Sequence, residues 1–91
     1  MENPNRENVI INFHADWCSP CKLQKPILEK FAKENNIEIE DVDIEENCEM
    51  AQKYGIRSVP TMVYTRNNII VETLVGLQKE SLLKAKLLKN Y

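Results

Sequence analysis

The sequence predicts an α/β fold: a four-stranded mixed sheet in the order β-α-β-α-β-β-α, flanked by helices. Three observations carry this expectation. Residues 9–13, "VIINF", form a nearly continuous apolar run rich in β-branched side chains, the pattern of a strand buried on both faces. From residue 19 to about residue 34, Leu23, Ile27, Leu28 and Phe31 recur at three- and four-residue spacing, the period of a helix. Residues 61–75 set two strand-like runs on either side of Asn67-Asn68, and Asn tolerates the positive φ that a tight hairpin turn needs. Strands joined through a helix should be parallel and hairpin strands antiparallel, so the sheet is mixed.

Each element follows in turn. Residues 1–8 read as a loosely ordered lead-in. The first strand contains one polar residue, Asn12. The first helix carries Pro26 in its interior, where proline is expected to kink it. Residues 37–44, "IEIEDVDI", begin with strict alternation and read as the second strand. Residues 47–54 predict a short helix, with Asn47 as its cap and Gly55 at its end. "TMVYT" and "IIVETLV" are the hairpin strands, and Gly76 ends the second. From Ser81 to about residue 89 the pattern is an amphipathic helix, with Leu82, Leu83, Leu87 and Leu88 assigned to the buried side. No linker, repeat or low-complexity segment interrupts the chain, so residues 1–91 are expected to form a single domain.

The 91 residues suffice for one core, with roughly 60–65% of the unfolded surface buried on folding. A net charge of −2 lacks the basic excess of a nucleic-acid binder. No apolar run approaches the length of a membrane span, and "MENPNREN" has no apolar signal region. A soluble, cytoplasmic protein is expected, with neither nucleic acid nor membrane as partner. The three cysteines are too few, and odd in number, for the disulfide framework of a small secreted scaffold.

Two of those cysteines stand in "FHADWCSPCK", residues 13–22. Cys18 falls where a strand ends and a helix begins. The unpaired N–H groups and the dipole of that helix end stabilise an anion, and the thiolate is the reactive form of cysteine. Cys18 is therefore the expected attacking sulfur. Cys21 lies one turn further in and is expected to be the more buried, resolving sulfur. Pro20 costs nothing in a first helical turn, whose N–H groups lack helical partners, and it stiffens the loop. Trp17 offers a flat apolar surface beside the reactive sulfur. A zinc site normally needs four ligands, and only Cys48 and His14 could join the pair. A purely structural disulfide closing so short a loop stabilises little. A redox dithiol is the favoured reading.

These residues closely resemble the thioredoxin family. The family stretch aromatic-x-Ala-x-Trp-Cys-Gly-Pro-Cys-Lys is matched by "FHADWCSPCK" with few changes, and Pro26 stands where the family has its helix-kinking proline. "VDIEENCEMAQKYGIRSVPT" resembles the segment that ends in Ile/Val-Pro-Thr, and Gly76 matches a family glycine near the substrate groove. The resemblance covers roughly residues 9–91. The opening strand and helix of full-length members have no counterpart, so the chain resembles a compact, minimal member. The resemblance implies a thioredoxin-like fold, with Cys18 and Cys21 as catalytic residues. It implies substrate binding by Trp17, Ser19, Pro20, Ser58, Val59, Pro60 and Gly76. It also implies that Pro60 is cis, that backbone groups of Val59 pair with an extended substrate segment, and that the proline keeps metal from the thiols.

The departures are informative. Asn12 occupies the place of a buried family Asp thought to help deprotonate the resolving cysteine, and Asn cannot titrate. Asp41 stands where the family typically has a Lys. Asp41 is therefore a third catalytic candidate, a carboxylate moved to the next strand that takes over, through water, the proton-transfer role missing at Asn12; the alternative is an ordinary exposed acid. Ser19 replaces the usual Gly, and His14 replaces a common aromatic and is expected to be a packed or surface imidazole. Cys48 is expected to be a buried or idle thiol, and the acidic stretch of residues 38–49 a solvated face.

The implied activity is reduction of protein disulfides by dithiol–disulfide exchange, with no bound cofactor. The implied partners are thioredoxin reductase or an equivalent electron donor, and disulfide-containing proteins; a monomer is expected. Two alternatives remain at this point: a glutaredoxin-like, glutathione-dependent reductase, against which Trp17 and Ser19-Pro20 speak, and a thioredoxin-fold interaction module with an incidental dithiol.

Overall fold

A computed structural model describes residues 7–88. The elements run β1 (Asn8–His14), α1 (Ser19–Glu34), β2 (Glu38–Asp43), α2 (Cys48–Lys53), β3 (Thr61–Arg66), β4 (Ile69–Val75) and α3 (Glu80–Leu87). The sheet order is β2-β1-β3-β4. β1 is parallel to β2 and antiparallel to β3, and β3 is antiparallel to β4 with a register shift between Tyr64 and Thr65. The expected α/β architecture and element order are what the chain adopts. Asn67 and Asn68 take φ of 52° and 67°, the left-handed conformations that a two-residue hairpin turn requires. Of the expected lead-in, residues 1–6 lie outside the described residues, and Asn8 opens β1.

Alternation along β1 distributes its side chains between two cores. Val9, Ile11 and Phe13 pack with Val42 and Val63 on one face, against Met50, Tyr54 and Ile56 from α2 and the loop after it. On the other face Ile10 packs with Leu28, Phe31, Met62, Leu83 and Leu87, against α1 and α3. Asn12 and His14 continue this second row toward the start of α1, so the same face that is apolar under the end of α1 becomes polar under its beginning.

Helix faces differ from expectation in detail. α3 buries the Leu83/Leu87 row against α1, while Leu82 and Leu88 are 40% and 46% exposed. A helix of eight residues beside one neighbour buries a narrow i, i+4 row, and residues at its margins stay in solvent. Leu23 is likewise exposed, and the inward stripe of α1 is Cys21, Gln24, Leu28, Phe31 and Ala32. Gln24 can be buried because its amide closes two backbone bonds: Nε2 donates to the Gln78 carbonyl at 3.0 Å and Oε1 accepts from the Gln78 N–H at 2.6 Å. Those bonds tie α1 to the segment entering α3. Pro26 lies inside α1, on its exposed side. Asn47 stands at the N-cap of α2 but makes no side-chain cap bond; its Nδ2 instead lies 4.0 Å from Met50 Sδ. Gly55, with φ 66°, follows that helix, as a C-terminal glycine does.

Candidate active site

The site begins where β1 hands over to α1. Cys18 is the N-cap of α1, with φ −92° and ψ 103°, and its Sγ accepts the Cys21 N–H at 3.2 Å. The Cys18 N–H donates to the Ala15 carbonyl at 3.2 Å. A sulfur at this position lies among unpaired N–H groups at the positive end of the helix dipole. Pro20 occupies the first turn, where it displaces no helical hydrogen bond. Cys18 and Cys21 are joined as a disulfide, with their Cα atoms 5.3 Å apart. Cys21 was expected to be the more deeply buried, but Cys18 is 3% and Cys21 6% exposed. Ala15, Ile44 and Val59 pack over the pair together, so both sulfurs share one cover.

The segment before β3 completes that cover. The Val59–Pro60 bond is cis, Val59 is half-buried against the dithiol, and Pro60 is buried. The Pro60 carbonyl accepts the Gly76 N–H at 2.9 Å. A Cβ on Gly76 would meet nothing within 4 Å, but its φ of 87° is one that other residues rarely adopt. Ser58 is exposed, and its carbonyl accepts the Thr61 hydroxyl at 2.7 Å. Trp17 is 65% exposed, and its indole Nε1 donates to Glu45 Oε2 at 3.0 Å. Ser19 and Pro20 are exposed between the cysteines. The cis peptide and its attachment to Gly76 thus stand beside the disulfide, with Trp17 on the chain immediately before it.

Behind Cys21 a cavity of about 280 Å³ is lined by Asn12, His14, Ala15, Asp16, Cys21, Lys22, Lys25 and Asp41. Asn12 and Asp41 are partners in the parallel β1–β2 register, and Asn12 Nδ2 donates to Asp41 Oδ1 at 3.0 Å. Asp41 is therefore an exposed acid at the sheet edge that also reaches the wall of the cavity shared with Cys21. His14 is half-buried in that wall. Cys48 is a free, exposed thiol rather than a buried one, because α2 turns only Ala51 fully inward.

Several residues of the site escaped the sequence reading. Lys25 lies one helical turn beyond Cys21, a spacing that could have flagged it. Ile44 follows an alternating strand and could have been traced to a core face. The Trp17–Glu45 bond joins exposed side chains 28 residues apart, and no local pattern announces it.

A pair of cysteines at a helix start, covered by a cis-proline turn on a four-stranded mixed sheet, defines the class: a thiol–disulfide oxidoreductase of thioredoxin-like fold. The Thioredoxin family model matches residues 2–89. The chain is 43% identical over 79 residues to the thioredoxin of Rickettsia bellii, covering 84% of this chain and 75% of that protein. It is 42% identical over 77 residues to the thioredoxin of Bacillus subtilis, covering 81% and 74%. Among solved structures, a mutant thioredoxin from Halobacterium salinarum superposes with a TM-score of 0.85 at 38% identity, over 90% of this chain and 73% of that one. The chain belongs to the thioredoxin family, and its activity is dithiol–disulfide exchange through Cys18 and Cys21. Among the described residues no helix is long and apolar enough to cross a membrane.

Proposed function

We propose that this chain acts as a single, monomeric domain in the cytoplasm, reducing protein disulfides and being recharged by thioredoxin reductase or an equivalent donor. The observation that carries this reading is the placement of Cys18 Sγ at the N-cap of α1, accepting the Cys21 N–H. In the dithiol state the Cys18 thiolate attacks one sulfur of a substrate disulfide, forming a mixed disulfide and expelling the other substrate sulfur as thiolate. Cys21 then loses its proton and attacks Cys18 Sγ. The second substrate sulfur leaves with the bonding electrons, and the Cys18–Cys21 disulfide remains. The substrate gains two electrons and the protein loses two.

The proton on Cys21 needs an acceptor, and Asp41 is the carboxylate that lines the Cys21 cavity from the neighbouring strand. Asp41 takes the proton across that cavity through water and passes it to solvent at the sheet edge. An extended substrate segment lies along Val59, Pro60 and Gly76, with Trp17, Ser19, Pro20 and Ser58 around the attacked sulfur. The backbone of Val59 supplies strand-like pairing, which holds the target sulfur in line with Cys18.

Equilibration against a glutathione buffer, read by Trp17 fluorescence, tests the direction of the chemistry. A potential of about −270 mV marks a protein-disulfide reductant, and one above about −200 mV marks a glutathione-coupled or oxidising role. Turnover of a model disulfide that is lost in Cys18→Ser separates an enzyme from an interaction module with an incidental dithiol, which would show no turnover at all.

A further inference from the structure

The chain leaves β4 at Val75 and enters α3 at Glu80, and Gly76, on the proposed path of the substrate, lies between them. Such a connection is ordinarily held loosely. Here buried side-chain amides fasten it. Gln24 is fully buried on the inward stripe of α1, one turn beyond Cys21. Its Nε2 donates to the Gln78 carbonyl at 3.0 Å and its Oε1 accepts the Gln78 N–H at 2.6 Å. An amide nitrogen only donates and an amide oxygen only accepts, so this side chain satisfies both backbone groups of one residue in a single orientation. Gln78 is 6% exposed and turns its own side chain back along the chain. Its Nε2 donates to the Val75 carbonyl at 3.2 Å and to the Gly76 carbonyl at 3.4 Å. The Gly76 N–H in turn donates to the Pro60 carbonyl at 2.9 Å. These bonds run from the helix that carries both sulfurs, through Gln78 and Gly76, to the cis Val59–Pro60 peptide beside the disulfide. A leucine at position 24 or 78 would fill similar space and need no partners, whereas a buried amide costs free energy unless its bonds are made. What the amides supply, and apolar contacts do not, is a fixed direction.

We infer that Gln24 and Gln78 are positioning residues for protein substrates: they lock the Gly76 wall of the groove to α1, and so favour protein disulfides over small ones. An extended protein segment is held by that wall while its sulfur meets Cys18, and a displacement of about 1 Å in such a support can cost about 10²-fold in rate. A small disulfide makes no strand-like pairing and reaches Cys18 without the wall. The inference rests on the reading of Val59, Pro60 and Gly76 as the groove and adds the device that sets its geometry.

The experiment mixes the reduced protein by stopped flow with insulin, as the protein disulfide, and with dithiobis(nitrobenzoate), as the small one. Gln24→Leu keeps the volume and removes both bonds to Gln78. Its rate constant with insulin should fall about tenfold, while that with the small disulfide stays within about twofold of wild type. Hydrogen exchange at the Gly76 amide, followed by NMR and referred to the amides of β1, should quicken in the same variant. A merely structural role would quicken all these amides alike and leave the ratio of the two rate constants unchanged. An unchanged ratio, or a Gly76 amide that keeps its protection relative to β1, would overturn the inference. An equal fall in both rate constants would also overturn it, since Gln24 would then act on the dithiol itself. Should Gln24→Leu not fold, Gln78→Leu decides the matter: it releases the Val75 and Gly76 carbonyls and leaves Gln24 bonded to the backbone of residue 78. A fall of about threefold with insulin alone, the effect of one lost hydrogen bond, supports the inference, and unchanged rates with both disulfides overturn it. Gly76→Leu, which puts bulk into the groove, separates the two readings. Insulin reduction slowed by Gly76→Leu but not by Gln24→Leu removes the clamp and keeps the groove; insulin reduction slowed by neither removes both.

Discussion

Ile10 and Asn12 sit two residues apart on the same face of β1, and the two ends of that face serve opposite purposes. Around Ile10 the sheet is closed by Leu28, Phe31, Leu83 and Leu87, all buried and apolar. Around Asn12 it opens into a cavity with His14, Lys25, Asp41 and Cys21. α1 spans both ends: its last turns supply the core and its first turn supplies the dithiol. One end therefore bears the stability of the fold and the other keeps polar groups poised for exchange. If that division is real, substitutions at the two ends should fail in different ways.

The largest expected effect lies at the dithiol. Cys18→Ser replaces a ready thiolate with a hydroxyl that is not ionised at neutral pH, and disulfide reduction should fall by about 10⁴-fold or more. Thermal unfolding of the reduced protein should hardly change, because Ser fits the N-cap position well. A loss of stability comparable to a core deletion would break the division between the two ends.

Phe31→Ala probes the other end. It empties a fully buried ring position among Leu28, Leu83 and Leu87 and should cost about 3–5 kcal/mol in chemical denaturation. In the fraction that remains folded, the Cys18–Cys21 potential should stay at its wild-type value. Gln24→Ala comes next. It strands the buried N–H and carbonyl of Gln78, to which Gln24 now bonds, and should cost about 2–3 kcal/mol on the same denaturation curve. Gln24 sits one turn from Cys21, so its effect on exchange rate measures how far the rigidity of α1 reaches into the site.

The two ends were also unequally legible in the sequence. The apolar end follows from periodicity: the runs at residues 9–13 and 61–75 and the start of α1 at Ser19 predicted the strands, the hairpin and the helix. Periodicity gives the rows of a helix but not which neighbour covers them. That is why Leu82 and Leu88, which periodicity places on the buried side, lie exposed, while Gln24, a polar residue matched to one particular backbone, is buried. At the polar end the cysteines, Trp17, the cis Pro60 and Gly76 were carried by the family resemblance. The resemblance implies that Asn12 and Asp41 are neighbours, but the bond between them depends on the β1–β2 register, which one-dimensional patterns do not encode. The equal burial of Cys18 and Cys21 depends on Ile44 and Val59, residues distant in sequence from either sulfur.

Asp41→Asn should have a smaller effect than either deletion in the core. Stopped-flow reduction of a protein disulfide should slow by about tenfold, the lower end for loss of a proton acceptor, and the pH–rate profile should change shape because a titrating group has gone. Stability should change by less than about 0.5 kcal/mol, as Asp41 is an exposed residue of an edge strand. An unaltered pH–rate profile would remove Asp41 from the chemistry and leave it an edge-strand charge.

The smallest effect belongs to the ion pairs that cross the apolar end. Glu80 lies 3.5 Å from Lys30 on α1 and 3.8 Å from Lys84 on its own helix, and both lysine side chains are more than half exposed. Exposed pairs of this kind gain little over hydration, lose side-chain entropy, and are screened by salt. Glu80→Gln should therefore cost about 0–0.5 kcal/mol, less still in high salt, although Glu80 is the residue that visibly bridges the two helices. The Leu83/Leu87 row beneath it joins the same helices by burial, and Leu83→Ala should cost several times more, about 2–5 kcal/mol. Were the charge substitution to match the leucine deletion, α1 and α3 would be held by electrostatics, and the contrast between an apolar end that stabilises and a polar end that reacts would not describe this molecule.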